Sequence, residues 1–202
     1  MPSERFLRLN EEKKKRILDA AYKEFAQHPM EDVSINRIIR DAAISRGSFY
    51  TYFEDKHDVL MYIMRSHKRQ ETEDIKAMLK RHGFDPVSML DELVYYYVRE
   101  IREQEKGSRI NILSNAGLFT SEDIKDLCDD SGDDLADWIW EEMDRSRLNV
   151  ESPGVFRAAV VHFRLLTAMT AARIVMYPEK EKETMDIFRE LIRVFREGVE
   201  KR

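Results

Sequence analysis

Residues 42–53 read Ala42-Ala43-Ile44-Ser45-Arg46-Gly47-Ser48-Phe49-Tyr50-Thr51-Tyr52-Phe53, a small-residue turn opening a helix that mixes polar and aromatic side chains. Just upstream, Ser34 is placed to cap a helix from Ile35 to Asp41 by accepting its free N–H groups, and Ala42-Ala43 is small enough for a sharp turn. A second helix is predicted to start near Ile44 or Ser45. Two short helices joined by such a turn are a helix-turn-helix, whose second member lies in the major groove of double-stranded DNA with its first residues against base edges. Those residues here are Ser45, Arg46, Gly47 and Ser48. Arg46 can give two hydrogen bonds to a guanine edge or one to a phosphate, Ser45 and Ser48 can serve either, and Gly47 lets the backbone come close. Phe49 and Phe53, four apart, are expected to face inward. Tyr50 and Tyr52 then keep their hydroxyls for the sugar-phosphate backbone, and Lys56, starting the next helix, adds a cation beside it.

The charge distribution agrees with that reading. The whole chain carries a net −5, which argues weakly against nucleic acid. Residues 1–70, however, hold 14 Lys and Arg against 11 Asp and Glu, or +3, which leaves −8 on residues 71–202. The positive charge sits with the motif, and an acidic remainder would turn that end toward a duplex. The run Lys13-Lys14-Lys15-Arg16, with Arg5 and Arg8 before it, is either a phosphate or minor-groove contact or a solvated helix face.

Length and composition predict helices: 202 residues can bury a proper core, and only 7 are Gly and 5 Pro. No apolar signal core opens the chain, and its longest apolar segment, Ala158 to Tyr177, is interrupted by His162, Arg164 and Arg173, so a cytoplasmic protein with no membrane partner is expected. The single cysteine, Cys128, leaves no internal disulfide and no cysteine-clustered metal site. Asn10 is a good cap for a support helix bearing Ile17, Leu18, Ala21, Tyr22 and Phe25. A long helix is predicted from Lys56 to Arg81, ended by His82-Gly83, and another from Asp85-Pro86 to about Gln104. Further short helices are predicted at Ile110 to Asn115 and from Ser121 through Leu127. An acidic interruption at 129–134 then precedes a helix from Leu135 to Arg147 that carries Trp138 and Trp140.

The last two helices differ from the rest. Ser152-Pro153 opens one that Pro178 ends, and the second runs from Glu179 to Val199. They are expected to make a homodimer. On the first, Ala168, Thr170, Ala171 and Ala172 would allow close helix approach. On the second, Met185, Ile187, Phe188, Leu191, Ile192, Val194 and Phe195 make a stripe wide enough for both core and partner.

With Ile17, Ala21, Phe25, Ser34, Ile38, Ala42, Ser45, Gly47, Tyr50, Tyr52, Phe53 and Lys56 in order, the first third of the chain resembles the DNA-binding domain of the TetR family of transcriptional regulators. It departs from the family pattern at Pro29 and Ala43, where glycine is usual, and at Ile39, where alanine is. A positive φ at Ala43 would cost about 1 kcal/mol. The resemblance implies an all-α chain, with a three-helix helix-turn-helix domain at 1–57 (motif about 34–53) and a larger ligand-binding and dimerisation domain at 58–202. The implied DNA-binding residues are Ser34, Ser45, Arg46, Gly47, Ser48, Tyr50, Tyr52 and Lys56. The family's central helices commonly enclose a ligand cavity, and Met64, Met89, Tyr97, Trp138, Phe163, Leu166 and Arg173 are the residues expected to meet an unidentified small-molecule effector; Met61, Tyr96, Met143 and Met169 are further candidates. His162, Arg164 and Arg173 could take an anionic head group or be paired structural groups. The last two helices would form a four-helix dimer interface.

The implied function is a repressor that binds a palindromic operator as a dimer and leaves it when a small, partly apolar ligand binds. The alternative is a helical ligand-binding or interaction protein, an activator or co-regulator, whose DNA binding is lost or not ligand-controlled. Catalysis has little support, and neither cofactor nor metal is expected. Glu54-x-x-His57 has the spacing of one di-iron ligand pair, but no second Glu-x-x-His accompanies it. No phosphate-binding glycine loop, His-Glu-x-x-His or nucleophile elbow is present.

Overall fold

The structure, a computed structural model, describes residues 2–103, 132–145, 150 and 152–199. Among the described residues there are nine α-helices and no strand: α1 Glu4–Leu7, α2 Glu11–Gln27, α3 Ile35–Asp41, α4 Arg46–Tyr52, α5 Lys56–Arg81, α6 Leu90–Glu103, α7 Gly132–Glu142, α8 Pro153–Met176 and α9 Glu181–Val199. The helices predicted at 110–115 and 121–127, Cys128 and the start of the acidic interruption lie outside the described residues. The chain divides into two compact units, and α5 takes part in both, with residues 56–69 in the first and 70–81 in the second.

In the first unit the apolar stripe of α2 meets α3, α4 and the start of α5. Ile17, Ala21, Phe25, Ile38, Phe49, Phe53 and Leu60 are buried there, together with Phe6 from α1. Each large side chain so buried contributes about 1.5–3 kcal/mol relative to exposure. The Phe6 ring lies 4.6 Å from that of Phe53 and 5.3 Å from that of Tyr62. Ser3 fastens α1 to the end of α4, its N–H and hydroxyl donating to the carbonyls of Tyr52 (2.9 Å) and Thr51 (2.7 Å). Asn10 caps α2 as expected, accepting from the Lys13 N–H at 2.9 Å.

Side chains that reach across the unit close its loops. Ser34 sits at the N-cap of α3, but its hydroxyl makes no capping bond. Glu24, buried on α2, ties down the start of α3, accepting from the Ser34 N–H at 2.8 Å and from Arg37 Nε at 2.9 Å on each carboxylate oxygen. Burial alone would raise this carboxyl's pKa. The hydrogen bonds from Arg37 and Ser34, with the charges of Arg37 and His28, hold it below the usual range. Arg16 Nε donates to the Ala42 carbonyl at 2.9 Å, tying α2 to the turn between α3 and α4. Within that turn Ala43 has φ +51°, and the Ile44 N–H returns to the Ile39 carbonyl at 3.1 Å.

The second unit packs α8 against α6, α7 and α9, with the end of α5 alongside. Gly83 and Phe84, both at φ +62°, stop α5 where it was predicted to stop. Helix α6 begins at Leu90, later than predicted, because Asp85 Oδ1 accepts from the N–H groups of Val87 (2.9 Å) and Ser88 (3.2 Å) and holds 85–88 as a turn. Helix α7 ends at Glu142, short of the predicted Arg147. Met143 beyond it is buried, Asp144 and Arg145 are exposed, and residues 146 and 147 lie outside the described residues.

Helix α8 is long and apolar enough to cross a membrane by length and composition alone, yet it packs in this unit through Phe156, Thr167, Ala171 and Ile174. Of its small residues, Thr170 and Ala171 are buried within the unit. The apolar side chains left outside are large ones instead: Val161, Leu165, Met169 and Met176 on α8, and Ile187, Leu191 and Val194 on α9. Four residues apart, Val161, Leu165 and Met169 form one stripe.

Two outcomes are expected from this architecture. Ala43→Gly should remove the left-handed strain, stabilising the protein by at most about 0.5 kcal/mol after the added freedom of the unfolded chain is subtracted; a lower urea midpoint would contradict the strain. The folded pKa of Glu24 lies below its value of 4.5 in the unfolded chain, so its stabilisation is complete above that pH and is lost as pH falls through the folded pKa. Glu24→Gln should therefore be less stable than wild type at neutral pH and lose less on acidification below pH 4.5. Parallel acid profiles for the two proteins would show that Glu24 carries no such linkage.

Candidate functional site

Helix α4 places its N-terminal residues at the surface because its other face is fixed in the core. Phe49 is fully buried, Phe53 is 2 % exposed and Ala42 before the helix is sealed, leaving Ser45, Arg46 and Gly47 in solvent. Ser45 is the N-cap, its Oγ accepting from the Ser48 N–H at 3.1 Å and lying 2.8 Å from the Ser48 hydroxyl. A Cβ added to Gly47 would meet nothing within 4 Å, so its surface is open to a close approach.

Arg46 is held in place. Its Nη1 donates to Asn36 Oδ1 at 2.8 Å, and its guanidinium lies 5.5 Å from the centre of the exposed Tyr50 ring. Nη2 is 3.4 Å from the Tyr50 hydroxyl. Asn36, in the first turn of α3, was not read from the sequence. Its only signal there is a short polar side chain near the start of a helix that precedes the turn, and its partner lies ten residues on. With Ser45, Ser48, Tyr50 and Arg46 it forms an exposed cluster of donors and acceptors across two helix N-termini, suited to phosphates and base edges.

Three of the predicted contact residues lie outside this exposed cluster. Tyr52 is not displayed: it is 8 % exposed, its ring lies 6.0 Å from that of Phe6, and Lys13 Nζ sits 5.7 Å above it. A helix turns about 100° per residue, so positions 50 and 52 face opposite sides. Lys56 directs its Nζ into the fold, donating to the carbonyls of Met30 (2.6 Å), Glu31 (3.2 Å) and Val33 (3.2 Å), and so anchors the loop before α3. Ser34 is half-buried, with its N–H on Glu24. The basic run on α2 is also largely engaged. Lys14 pairs with Glu11 at 2.8 Å, Lys15 with Asp19 at 2.9 Å, and Arg16 holds Ala42.

The second unit holds a cavity of about 80 Å³, partly open to solvent. Its wall is apolar, with Met89, Leu93, Ile139, Phe156, Phe163 and Phe195 among its residues, and Arg164 is the one charged residue among those described. Arg164 Nη2 donates to Glu71 Oε1 at 2.8 Å, and the Tyr97 hydroxyl donates to the same oxygen at 2.6 Å. Burial and then the Glu71 charge push the Tyr97 hydroxyl well above its usual range. Burial alone would lower Arg164, but the Glu71 carboxylate outweighs it and the guanidinium stays charged.

Of the predicted ligand residues, Met89 and Phe163 line this cavity. Met64 belongs to the first unit's core, Leu166 packs in the second, and Tyr97 joins the Glu71 group instead. Trp138 lies beside Phe84 and under Lys76 Nζ at 5.5 Å, and Arg173 Nε donates to Thr184 Oγ1 at 3.3 Å. Met169, also considered, is 72 % exposed. Leu93, Ile139, Phe156 and Phe195 were missed because their spacing is that of any core residue. No group of three or more His, Cys, Asp or Glu placed to hold a metal occurs among the described residues.

Residues 17–63 match the model of a family described as bacterial regulatory proteins, tetR family. Two HTH-type transcriptional regulators of Staphylococcus aureus, SAB2452 (strain bovine RF122 / ET3-1) and SAUSA300_2515 (strain USA300), are each 35% identical over 54 residues. Those matches take in 27% of this chain and 29% of each relative's length. Among solved structures, a TetR family transcriptional regulator from Chloroflexus aurantiacus J-10-FL is similar over 100% of both chains, with a TM-score of 0.52 and 22% identity. The fatty acid degradation regulator FadR from Bacillus halodurans has a TM-score of 0.60 at 17% identity, covering 94% of this chain and 95% of its own. NalD, the secondary repressor of the MexAB-OprM multidrug efflux pump in Pseudomonas aeruginosa, also has a TM-score of 0.60, at 21% identity over 95% of this chain and 97% of its own. At these identities the solved structures establish a shared fold. Residues 17–63 thus match the tetR family's model, and over the rest of the chain the likeness is one of fold.

Proposed function

We propose that this chain is a cytoplasmic DNA-binding transcriptional regulator, a repressor that holds a palindromic operator as a homodimer and releases it when a small, mostly apolar effector enters the cavity. The observation that carries the proposal is the exposed start of α4, where Arg46 is pre-positioned by Asn36 and Tyr50 above a buried Phe49. An arginine already ordered loses less freedom on meeting a base edge than a mobile one does. The repressor sign is supported by the family and by NalD, which carries that role. Dimerisation is supported by the large apolar side chains left exposed on α8 and α9, since such a stripe marks an association surface. Two helix-turn-helix heads then read half-sites one helical turn apart.

Effector control needs a link between cavity and head. Helix α5 supplies one, being continuous from Lys56, which anchors the loop before α3, to Ile75 in the cavity wall. To move operator occupancy from 99:1 to 1:99 the effector must prefer the released form by about 5.5 kcal/mol. Selection of purified protein on random duplexes tests the proposal directly. A palindromic winner held far more tightly than scrambled DNA supports it, and no enrichment at all would sink it.

Two substitution sets refine the test. Arg46→Ala should relax base preference at one operator position by about 1–3 kcal/mol, whereas Lys56→Ala should lower the melting temperature of the protein and leave the salt slope of the folded fraction unchanged. A stable Lys56→Ala protein with a flattened salt slope would instead return Lys56 to the phosphates. Leu165→Glu combined with Met169→Glu should convert dimers to monomers in sedimentation and weaken palindrome binding to half-site levels; a dimer of unchanged affinity would move the interface elsewhere.

A further inference from the structure

Asn36 and Arg46, both exposed, stand ten residues apart in the chain and meet at 2.8 Å, with Arg46 Nη1 donating to Asn36 Oδ1. The bond fixes the asparagine as well as the arginine. A guanidinium has donors only, so a carboxamide that pairs with it must turn its oxygen toward it and its NH2 group away. Among the described residues no second hydrogen bond involves the Asn36 side chain, so both amide hydrogens are left for an incoming partner. The exposed Tyr50 hydroxyl is turned in the same sense: its oxygen accepts from Arg46 Nη2 at 3.4 Å, and its own hydrogen points elsewhere. Arg46, Asn36 and Tyr50 therefore offer donors to whatever approaches.

Two consequences follow for a duplex lying on this face. Asparagine ordinarily takes adenine with Oδ1 on the N6 amino group and Nδ2 on N7. Here that pairing would set N6 against the same oxygen as the Arg46 N–H, two donors on one acceptor, whereas a keto oxygen meets Nδ2 without competition. Cytosine offers its N4 donor alone and is excluded. The second consequence concerns spacing. Side-chain ends 2.8 Å apart suit neighbouring bases, which are stacked about 3.4 Å apart along a strand.

We infer that Asn36 is a specificity-determining residue of the DNA-binding face. It positions Arg46 on a guanine and places its own NH2 group on the neighbouring base, one that carries a keto oxygen, guanine or thymine. This inference rests on the reading of the chain as an operator-binding regulator.

The test uses the full-length protein selected on random duplexes, followed by relative affinities for all four bases at each position of the winning half-site. Wild type should show a guanine preferred by about five- to a hundredfold, with guanine or thymine beside it. Asn36→Ala, at an exposed helical position that alanine suits, should keep the melting temperature. It should lower the guanine preference by about two- to tenfold, the cost of ordering one long side chain on binding, and leave the neighbouring position indifferent. Asn36→Asp keeps an oxygen for Arg46 and exchanges the NH2 group for an acceptor. Its guanine preference should persist while the neighbouring position changes to cytosine, whose N4 amino group donates.

A guanine preference that Asn36→Ala leaves intact overturns the inference, as does an adenine preferred at the neighbouring position by wild type. So does a loss of affinity that is uniform across sequences in both variants, which is what a phosphate contact gives. Each of these leaves the regulator reading standing. Failure of wild type to enrich any sequence removes that reading and the inference with it.

Discussion

A helix of seven residues does not hold together alone in water, because forming its first turn fixes several residues for one hydrogen bond. Helix α4, the one that must present Arg46, is seven residues long. Its geometry is therefore imposed from outside, and the first unit is arranged to impose it. Phe49 and Phe53 fix its inner face in the core, Ser45 caps its start, and Ser3 grips the carbonyls at its end. The turn leading into it is held by Arg16 on the Ala42 carbonyl, and the loop before α3 by Lys56 on three carbonyls and by Glu24 on the Ser34 N–H. Each of these is a long side chain satisfying a backbone group that a short loop cannot pair by itself.

That dependence explains which parts of the first unit the sequence disclosed. Cap residues act on groups two or three positions away, so Asn10 and Ser45 were readable, as were the bounds of α3 and the long α5. Lys56 reaches back more than twenty residues to Met30 and Val33, and no local pattern distinguishes a lysine bound for a carbonyl from one bound for a phosphate. Ser34 had the right identity and position for a cap, but buried Glu24 offered a charged acceptor to the same loop and occupied the N–H of Ser34 itself. Helical period does not separate Tyr50 from Tyr52, since the two flank the Phe49/Phe53 direction at equal angles; Tyr52 is buried because Phe6 of α1 and Lys13 of α2 lie on its side.

In the second unit the difficulty is of another kind. Helix α8 is apolar nearly all round, so periodicity does not say which side faces the unit's own core. The small residues suggested a face for close approach between subunits, yet Thr170 and Ala171 are buried within the unit, and the exposed stripe consists of large residues at four-residue spacing. A cavity is harder still to read, since its wall is assembled from α5, α6, α7, α8 and α9 and its residues are of the same types as the solid core around it. Met89 and Phe163 were legible as apolar candidates on central helices; that Leu93 borders a cavity is a property of the packing.

Arg164 and Glu71 bring these two scales together. Their ion pair joins α8, which carries the exposed stripe, to α5, which begins at Lys56, and it does so at the edge of the cavity. A buried pair of this sort adds little net stability over hydrocarbon, but breaking it by removing one partner costs about 3–5 kcal/mol. Its value lies in fixing one register between the two helices. The pair does not hold that register alone: Ile75, Met78 and Leu79 of α5 are buried in the same core as Phe156, Ala171 and Ile174 of α8, so hydrocarbon packing supplies the stability while the ion pair supplies the specificity.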